Sequence, residues 1–189
     1  MDADAHQEWG EDPGWRPTLR VLIPFAPLVF RANRRRDPIT ILRMMYLTFV
    51  LAIILYGFVL TQILSFRSTH NGLAWAIGIG AVALANLVVE RRVERPLSCE
   101  CEAALATTYR SRTFVRIAFA ESTALLGFVA AFTINGSWIY FFSALCSAPA
   151  FWRAAPTKAA LTRDQDELAS RGSAHSLVEA IRRRPAKPT

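Results

Sequence analysis

A run of 23 residues without a charge, from Met44 to Phe66, constrains this chain more than any other feature. At 1.5 Å per residue, a helix over this run is roughly 34 Å long, enough to cross the hydrocarbon core of a bilayer. The chain is 52% hydrophobic yet carries a net charge of +7, so its apolar and charged residues are separated into blocks. This separation is typical of an integral membrane protein.

Three further apolar runs follow the first. Gly72 to Val89 contains 18 uncharged residues, Phe114 to Ile134 is interrupted by only two charged residues, and Trp138 to Trp152 is the shortest and contains a proline. Runs of this length and composition favour membrane-spanning helices. We therefore predict an all-α integral membrane protein with four transmembrane helices, at about 44–66, 72–89, 114–134 and 138–152.

The positions of the Lys and Arg residues predict the orientation of these helices. Twenty of them lie before the first run, between the second and third, or after the fourth, whereas only Arg67 lies on the other side and Arg116 falls within the third run. Because positive residues are retained on the cytoplasmic side, we expect both termini to be cytoplasmic. The abundance of Ala, and of Arg over Lys, indicates a bacterial protein, so the expected location is the bacterial cytoplasmic membrane.

Two segments are expected to flank the transmembrane domain, residues 38–153. In the N-terminal segment, residues 1–37, the apolar dodecamer Leu19 to Phe30 contains two prolines. Proline removes a backbone donor and clashes with the preceding turn, so this dodecamer is expected to lie in the membrane interface and not to cross it. The other flanking segment is a cytoplasmic tail, residues 154–189.

The tail is predicted to form one or two short helices. Thr157 can cap a first helix that ends at Gly172, and Ser176 with Glu179 has the spacing of a capping box. Apolar residues are sparse here, so we expect a solvated, partly frayed tail, or one that docks on a partner. The final residues, from Arg182 onward, are expected to be disordered.

Glu121 is the one acidic residue inside the predicted spans. It lies eight residues beyond Thr113, roughly 12 Å into the apolar layer. A charge at the centre of a span costs at least roughly 2.5–3.5 kcal/mol, which makes Glu121 a functional-site candidate. Arg116 lies about 140° away around the helix and can reach the head groups, so Glu121 must bond elsewhere, be protonated or face water. Its expected partners are Asn86, Gln62, Ser122 and Thr123.

Two stripes of small residues predict how the helices pack. In lipid there is little hydrophobic drive between helices, so close approach through small residues supplies the packing energy. The second and third runs each carry four such residues at offsets of 4, 7 and 11, and we expect the two helices to form an antiparallel hairpin through these faces. The residues are Ala74, Gly78, Ala81 and Ala85 in the second run and Ala120, Ala124, Gly127 and Ala131 in the third.

A longer pattern runs through the same two helices. A glycine-bearing helix (AIGIGAVALA) is followed by a loop containing Arg95-Pro96, then by the stretch Arg110 to Glu121 and by STALLGFVAAF. This pattern, residues 72–132, resembles the hairpin of the proteolipid c subunit of F-type ATP synthases. The resemblance implies that Glu121 binds the transported proton or sodium ion.

The remaining chemical signals narrow the function classes. The basic clusters border apolar spans and lack aromatic interleaving, which favours contact with anionic lipids over nucleic acid. The sequence contains no nucleophile elbow, phosphate-binding loop, paired catalytic carboxylates or metal-ligand spacing, so we expect no enzyme activity, cofactor or metal. Cys99 and Cys101 are expected to be reduced cytoplasmic thiols.

Two functions remain open. The first is a non-enzymatic accessory or scaffold subunit that assembles with other membrane subunits or with itself. The second is proton or cation translocation through the hairpin that carries Glu121.

Overall fold

The computed structural model describes residue 15 and residues 37–66, 72–94, 96–98, 101–173 and 175–182. No strand occurs among these residues, which confirms the all-α class. The dodecamer Leu19–Phe30, the turn at 67–71, Cys99 and residues 183–189 lie outside the described ranges. The described residues form the helices α1 (Pro38–Ile63), α2 (Gly72–Val93), α3 (Glu102–Thr133), α4 (Trp138–Ala154), α5 (Lys158–Ser170) and α6 (Leu177–Arg182).

Three of these helices, α1, α2 and α3, are long and apolar enough to cross a membrane. Large apolar side chains point outward along them; Ile54 is 63% exposed and Leu73 is 71% exposed. Extended apolar surface of this kind marks a membrane or interaction surface and is rare on soluble monomers. The helix α4 has 17 residues and contains Pro149.

The helices extend past the apolar runs because polar residues continue or cap them. Pro38 occupies the first position of α1, where its missing N–H is harmless, and the Asp37 carboxylate accepts from the backbone N–H of Ile39 at 3.4 Å. The helix α3 begins at Glu102, twelve residues before the third predicted span. Much of the predicted loop between the second and third runs is therefore helical.

The chain divides into two compact units. The first, which we name the apolar unit, comprises residues 46–95 and 111–155. The second, the tail unit, comprises residues 1–45, 96–110 and 156–189.

Within the apolar unit, α1 and α4 run in opposite directions. The Tyr140 hydroxyl donates to the Ile53 carbonyl at 2.5 Å, and the Tyr46 hydroxyl donates to the Phe151 carbonyl at 3.1 Å. Tyr46, which precedes Ile53 on α1, contacts Phe151, which follows Tyr140 on α4, so the two helices are antiparallel. Because both hydroxyls bond backbone carbonyls, they position the two helices while satisfying their own polar groups.

The helices α2 and α4 pack against each other and run in the same direction. At their N-terminal ends, a Cβ added to Gly72 would overlap the Trp138 ring, so the two helices approach closely there. At their C-terminal ends, Glu90 forms an ion pair with Arg153. The two helices therefore lie side by side between these two contacts.

The small-residue stripe of α3 is a packing face. All four of its members are buried, and a Cβ added to Gly127 would overlap the Ser143 side chain of α4. The Ser143 hydroxyl donates to the Thr123 carbonyl at 2.6 Å, which holds α3 and α4 together at the same place. The buried members are Ala120, Ala124, Gly127 and Ala131.

The small-residue stripe of α2, in contrast, is exposed, so the predicted hairpin through both stripes does not form within this chain. The buried face of α2 contains Ile79, Ala83 and Glu90, roughly 150° around the helix from the stripe. Polar groups in an apolar layer turn toward protein partners, so Glu90 and its neighbour Asn86 select the inward face. The exposed members are Ala74, Gly78, Ala81 and Ala85.

In the tail unit, the predicted helix ends are confirmed. Thr157 caps α5, because its hydroxyl oxygen accepts from the Ala160 N–H at 3.2 Å. Gly172 follows the end of α5 with φ +75°, a conformation that glycine adopts without strain. Ser176 accepts from the Glu179 N–H at 3.3 Å ahead of α6.

The tail helices are packed, so the expectation of a solvated, frayed tail is wrong for the described residues. Leu161 and Leu168 of α5 are buried together with Leu177 and Ile181 of α6. Leu161 and Leu168 are seven residues apart, and Leu177 and Ile181 are four apart, so each pair lies on one face of its helix. A few apolar residues are enough to pack a helix when they share a face. The same cluster includes Ile39, Leu42, Leu97, Leu105 and Tyr109.

Candidate functional site

Three polar side chains lie in a row along the inward face of α2 and the residue that follows its last turn. Asn86, Glu90 and Glu94 are spaced four residues apart, which places them on one side of the helix. Each contacts a different part of the apolar unit, and together they extend over roughly 12 Å along the helix axis. We take this row as the candidate functional site.

Asn86 joins α2 to α3. Its side-chain amide nitrogen lies 2.9 Å from the Ser122 hydroxyl, 3.0 Å from the Thr123 hydroxyl and 3.4 Å from the Phe119 carbonyl. Thr123 is buried, and its carbonyl accepts from Ser143. Three of the four predicted partners of Glu121 are therefore brought together, with Asn86 bonded to both Ser122 and Thr123.

Glu94 is shared by two arginines of α3. Its Oε2 accepts from Arg112 Nη2 at 3.1 Å, and its Oε1 accepts from Arg116 Nε. The side chains are only 9–12% exposed. We expected Arg116 to reach the head groups; instead it is buried, because Glu94 offers a charged acceptor directly beside it.

The electrostatic balance at Glu94 favours the ionised form. Burial acts to raise the pKa of this carboxyl, but the hydrogen bonds and positive charges of Arg116 and Arg112 outweigh burial and hold the pKa below its ordinary value. Glu94 is therefore a carboxylate at neutral pH. The three residues form a charged clamp between the end of α2 and α3.

Glu90 is the most enclosed charge on α2. Its side chain is 0% exposed, and its Oε1 lies 3.5 Å from Arg153 Nη2 on α4. The Arg153 side chain is 31% exposed. The pair therefore connects an interior carboxylate to the protein surface.

Glu121 lies on a different side of α3. It is spaced seven residues from both Phe114 and Phe128, which contact the rings of Phe49 and Tyr56 on α1 at centroid distances of 6.1 and 5.4 Å. This side is roughly 150° around α3 from the residues that Asn86 bonds. Glu121 is half-buried, and within the described part of the chain no hydrogen bond or ion pair reaches it.

Gln62, the fourth predicted partner, lies far along α1 from Glu121. The two ring contacts place Ile53 approximately opposite Glu121. Gln62 is nine residues further on, roughly 14 Å along the helix, and is exposed. The geometry therefore separates Gln62 from Glu121.

The exposed stripe of α2 borders an open groove of about 360 Å³. Its floor includes Ala74 and Gly78 of the stripe, and Leu126 of α3 closes one side. A Cβ added to Gly78 would meet nothing within 4 Å, so this part of α2 is open to a neighbour. The lining residues are Ala74, Trp75, Gly78, Ile79, Val82 and Leu126.

Sequence reasoning missed Glu90 and Glu94 as site residues. Both fall in the basic stretch that follows the second apolar run, which we interpreted as a cytoplasmic boundary. The spacing of Asn86, Glu90 and Glu94 was the signal that could have identified them, because three polar residues at intervals of four define an inward helix face.

The arrangement is suited to holding helices and charges in place. The carboxylates of Glu90 and Glu94 are each committed to an arginine, and among the residues that the structure describes no three His, Cys, Asp or Glu side chains are grouped as metal ligands. Among the acidic residues described in the apolar unit, Glu121 is the one that no arginine contacts. Comparison of the chain with protein-family models, curated proteins and solved structures gives no match.

Proposed function

We propose that this chain is a non-enzymatic subunit of a bacterial membrane complex, an accessory or scaffold protein that crosses the cytoplasmic membrane four times. The observation that carries the proposal is the exposed small-residue stripe of α2 with its groove. Small residues are used in lipid where another helix approaches closely. The α2 stripe has no such neighbour among the described residues of this chain, so we infer that a helix of another subunit or of a second copy packs there.

The proposal of a fourth crossing rests on the alignment of α4 with α2. Both helices extend between the same two levels, marked by Gly72 with Trp138 and by Glu90 with Arg153. The 17 residues of α4 give roughly 26 Å, within the range that spans a bilayer. If α2 crosses, α4 crosses beside it and returns the chain to the cytoplasm.

Cysteine labelling tests this topology. In a variant lacking the native cysteines, a cysteine at Ser68 should react with a membrane-impermeant maleimide added to intact cells, because the turn at 67–71 is expected outside. A cysteine at Lys158, which is exposed, should react only after permeabilisation. Labelling of the Lys158 cysteine in intact cells would mean three crossings and would contradict the proposal.

The assembly proposal predicts a position-specific effect on α2. Gly78→Leu should abolish co-purification of partner subunits, or reduce the mass of the native assembly, because the larger side chain fills the groove. Gly80→Leu is the matched control, since Gly80 is also open in this chain but does not line the groove. The assembly would be purified from native membranes in mild detergent and weighed by native mass spectrometry. Equal effects of both substitutions, or a monomeric wild type, would contradict the proposal.

The alternative function is proton or cation translocation with Glu121 as the ion-binding carboxyl. What supports it is a carboxyl in the middle of α3 that no hydrogen bond or ion pair of the described residues reaches. Intramembrane acids of this kind mark ion pathways.

Carbodiimide labelling tests the alternative. The reagent modifies protonated carboxyls in apolar surroundings, so it should label Glu121 and spare the arginine-paired Glu94. Peptide mass spectrometry of labelled membranes would locate the modification, and Glu121→Gln should remove it. Labelling at no position in the chain would remove this alternative, whereas protection by sodium would favour a sodium ion over a proton.

A further inference from the structure

The ion pair of Glu90 and Arg153 contains several buried polar atoms without a hydrogen bond. Neither carboxylate oxygen of Glu90 has a hydrogen bond in the described structure, and Arg153 Nη1 is likewise buried without one. The closest approach, from Nη2 to Oε1, is 3.5 Å, which is long for a charge-assisted hydrogen bond. Three polar atoms of one pair thus lack the hydrogen bonds that buried charges require.

Neighbouring side chains do not fill this need. Arg112 and Arg116 bond to Glu94, and Arg91 is exposed on α2. A cation at the site would be repelled by Arg153, and an anion would be repelled by Glu90. A small neutral molecule that both donates to a carboxylate and accepts from a guanidinium satisfies both groups, and water does so.

The surroundings allow water to enter. In this region the buried face of α4 combines the small residues Ser147, Ala150 and Ala154 with Phe151. The partial exposure of Arg153 supplies a route from the surface to the interior carboxylate. Buried waters in proteins make about three hydrogen bonds each, and this pair offers three free positions.

We propose that Glu90 and Arg153 form a buried water-binding site, in which an ordered water donates to the Glu90 carboxylate and accepts from Arg153 Nη1. The water keeps both groups charged inside the apolar unit. This water site depends on the packing of α2 against α4 and is independent of the function proposed above.

A density map of the full-length protein in lipid nanodiscs, at a resolution that shows ordered waters, tests the site directly. We expect a peak within hydrogen-bond distance of Arg153 Nη1 and of one Glu90 oxygen. A map that shows waters elsewhere in the interior but a direct, dry Glu90–Arg153 contact would overturn the proposal.

Infrared difference spectroscopy gives a second readout in solution. The spectrum of the wild type minus that of Glu90→Gln should contain the two stretching bands of an ionised carboxylate. Glu121→Gln is the control for a carboxyl elsewhere in the same chain. A single carbonyl band of a protonated Glu90 would overturn the proposal, and the density map decides the matter if Glu90→Gln does not fold.

Discussion

Replacing Glu94 with glutamine is expected to lower the free energy of unfolding by roughly 3 kcal/mol, the lower end of the cost of removing one partner from a buried ion pair. Glu94 is the carboxylate that Arg112 and Arg116 share, and all three side chains are close to fully buried. Glutamine has nearly the same shape and retains one acceptor, so the loss reports the charge. Unfolding would be followed by circular dichroism in mild detergent.

Glu121→Gln is the matched control for this experiment. It is the same chemical change on α3, at a carboxyl that no ion pair of the described residues reaches. We expect it to leave unfolding and assembly unchanged. A Glu121→Gln variant that is as unstable as Glu94→Gln would contradict the assignment of the charged clamp to Glu94.

The pH dependence of the Glu94→Gln effect follows from the lowered pKa of Glu94. In the folded protein this carboxyl binds a proton less tightly than in the unfolded chain, where its pKa is about 4.3. Its contribution to stability is therefore fully present above that value and is lost as pH falls through the lower folded pKa. The difference in stability between wild type and variant should shrink on acidification below about pH 4.3. A difference that stays constant would contradict the ionised clamp.

Gly127→Ala is expected to destabilise the protein by about 1–3 kcal/mol, the usual cost of overpacking a close contact. The added methyl group would overlap the Ser143 side chain, which is itself fixed by its hydrogen bond to the Thr123 carbonyl. The helices α3 and α4 must then separate, or Ser143 must give up that bond. The thermal unfolding midpoint in detergent measures the effect.

Gly78→Ala is the corresponding control on α2. The added methyl group meets nothing within 4 Å in this chain, and alanine is the better helix former by roughly 0.5–1 kcal/mol. The substitution should therefore be neutral or stabilising. If both substitutions destabilise the isolated chain equally, the two stripes do not differ as the structure indicates.

The sequence by itself determined the helical class and the position of the long apolar helices. Apolar runs of 18 to 23 residues leave the backbone no other way to satisfy its polar groups in lipid, so α1, α2 and α3 follow from composition and length. The helix ends of the tail could also be predicted, because Thr157 and Gly172 act through local backbone chemistry. A short fourth helix could be predicted from the sequence as well, and the structure has it at residues 138–154.

Tertiary structure alone decided which helix faces meet and which charges pair. The stripes on α2 and α3 have identical spacing, yet one is exposed and the other is buried against Ser143. Spacing defines a face of a helix but not its direction relative to the neighbours, and on α2 the polar residues Asn86 and Glu90 set that direction. The ion pair of Arg116 with Glu94 could not be predicted from spacing either, because the two residues come close only after α2 and α3 have packed.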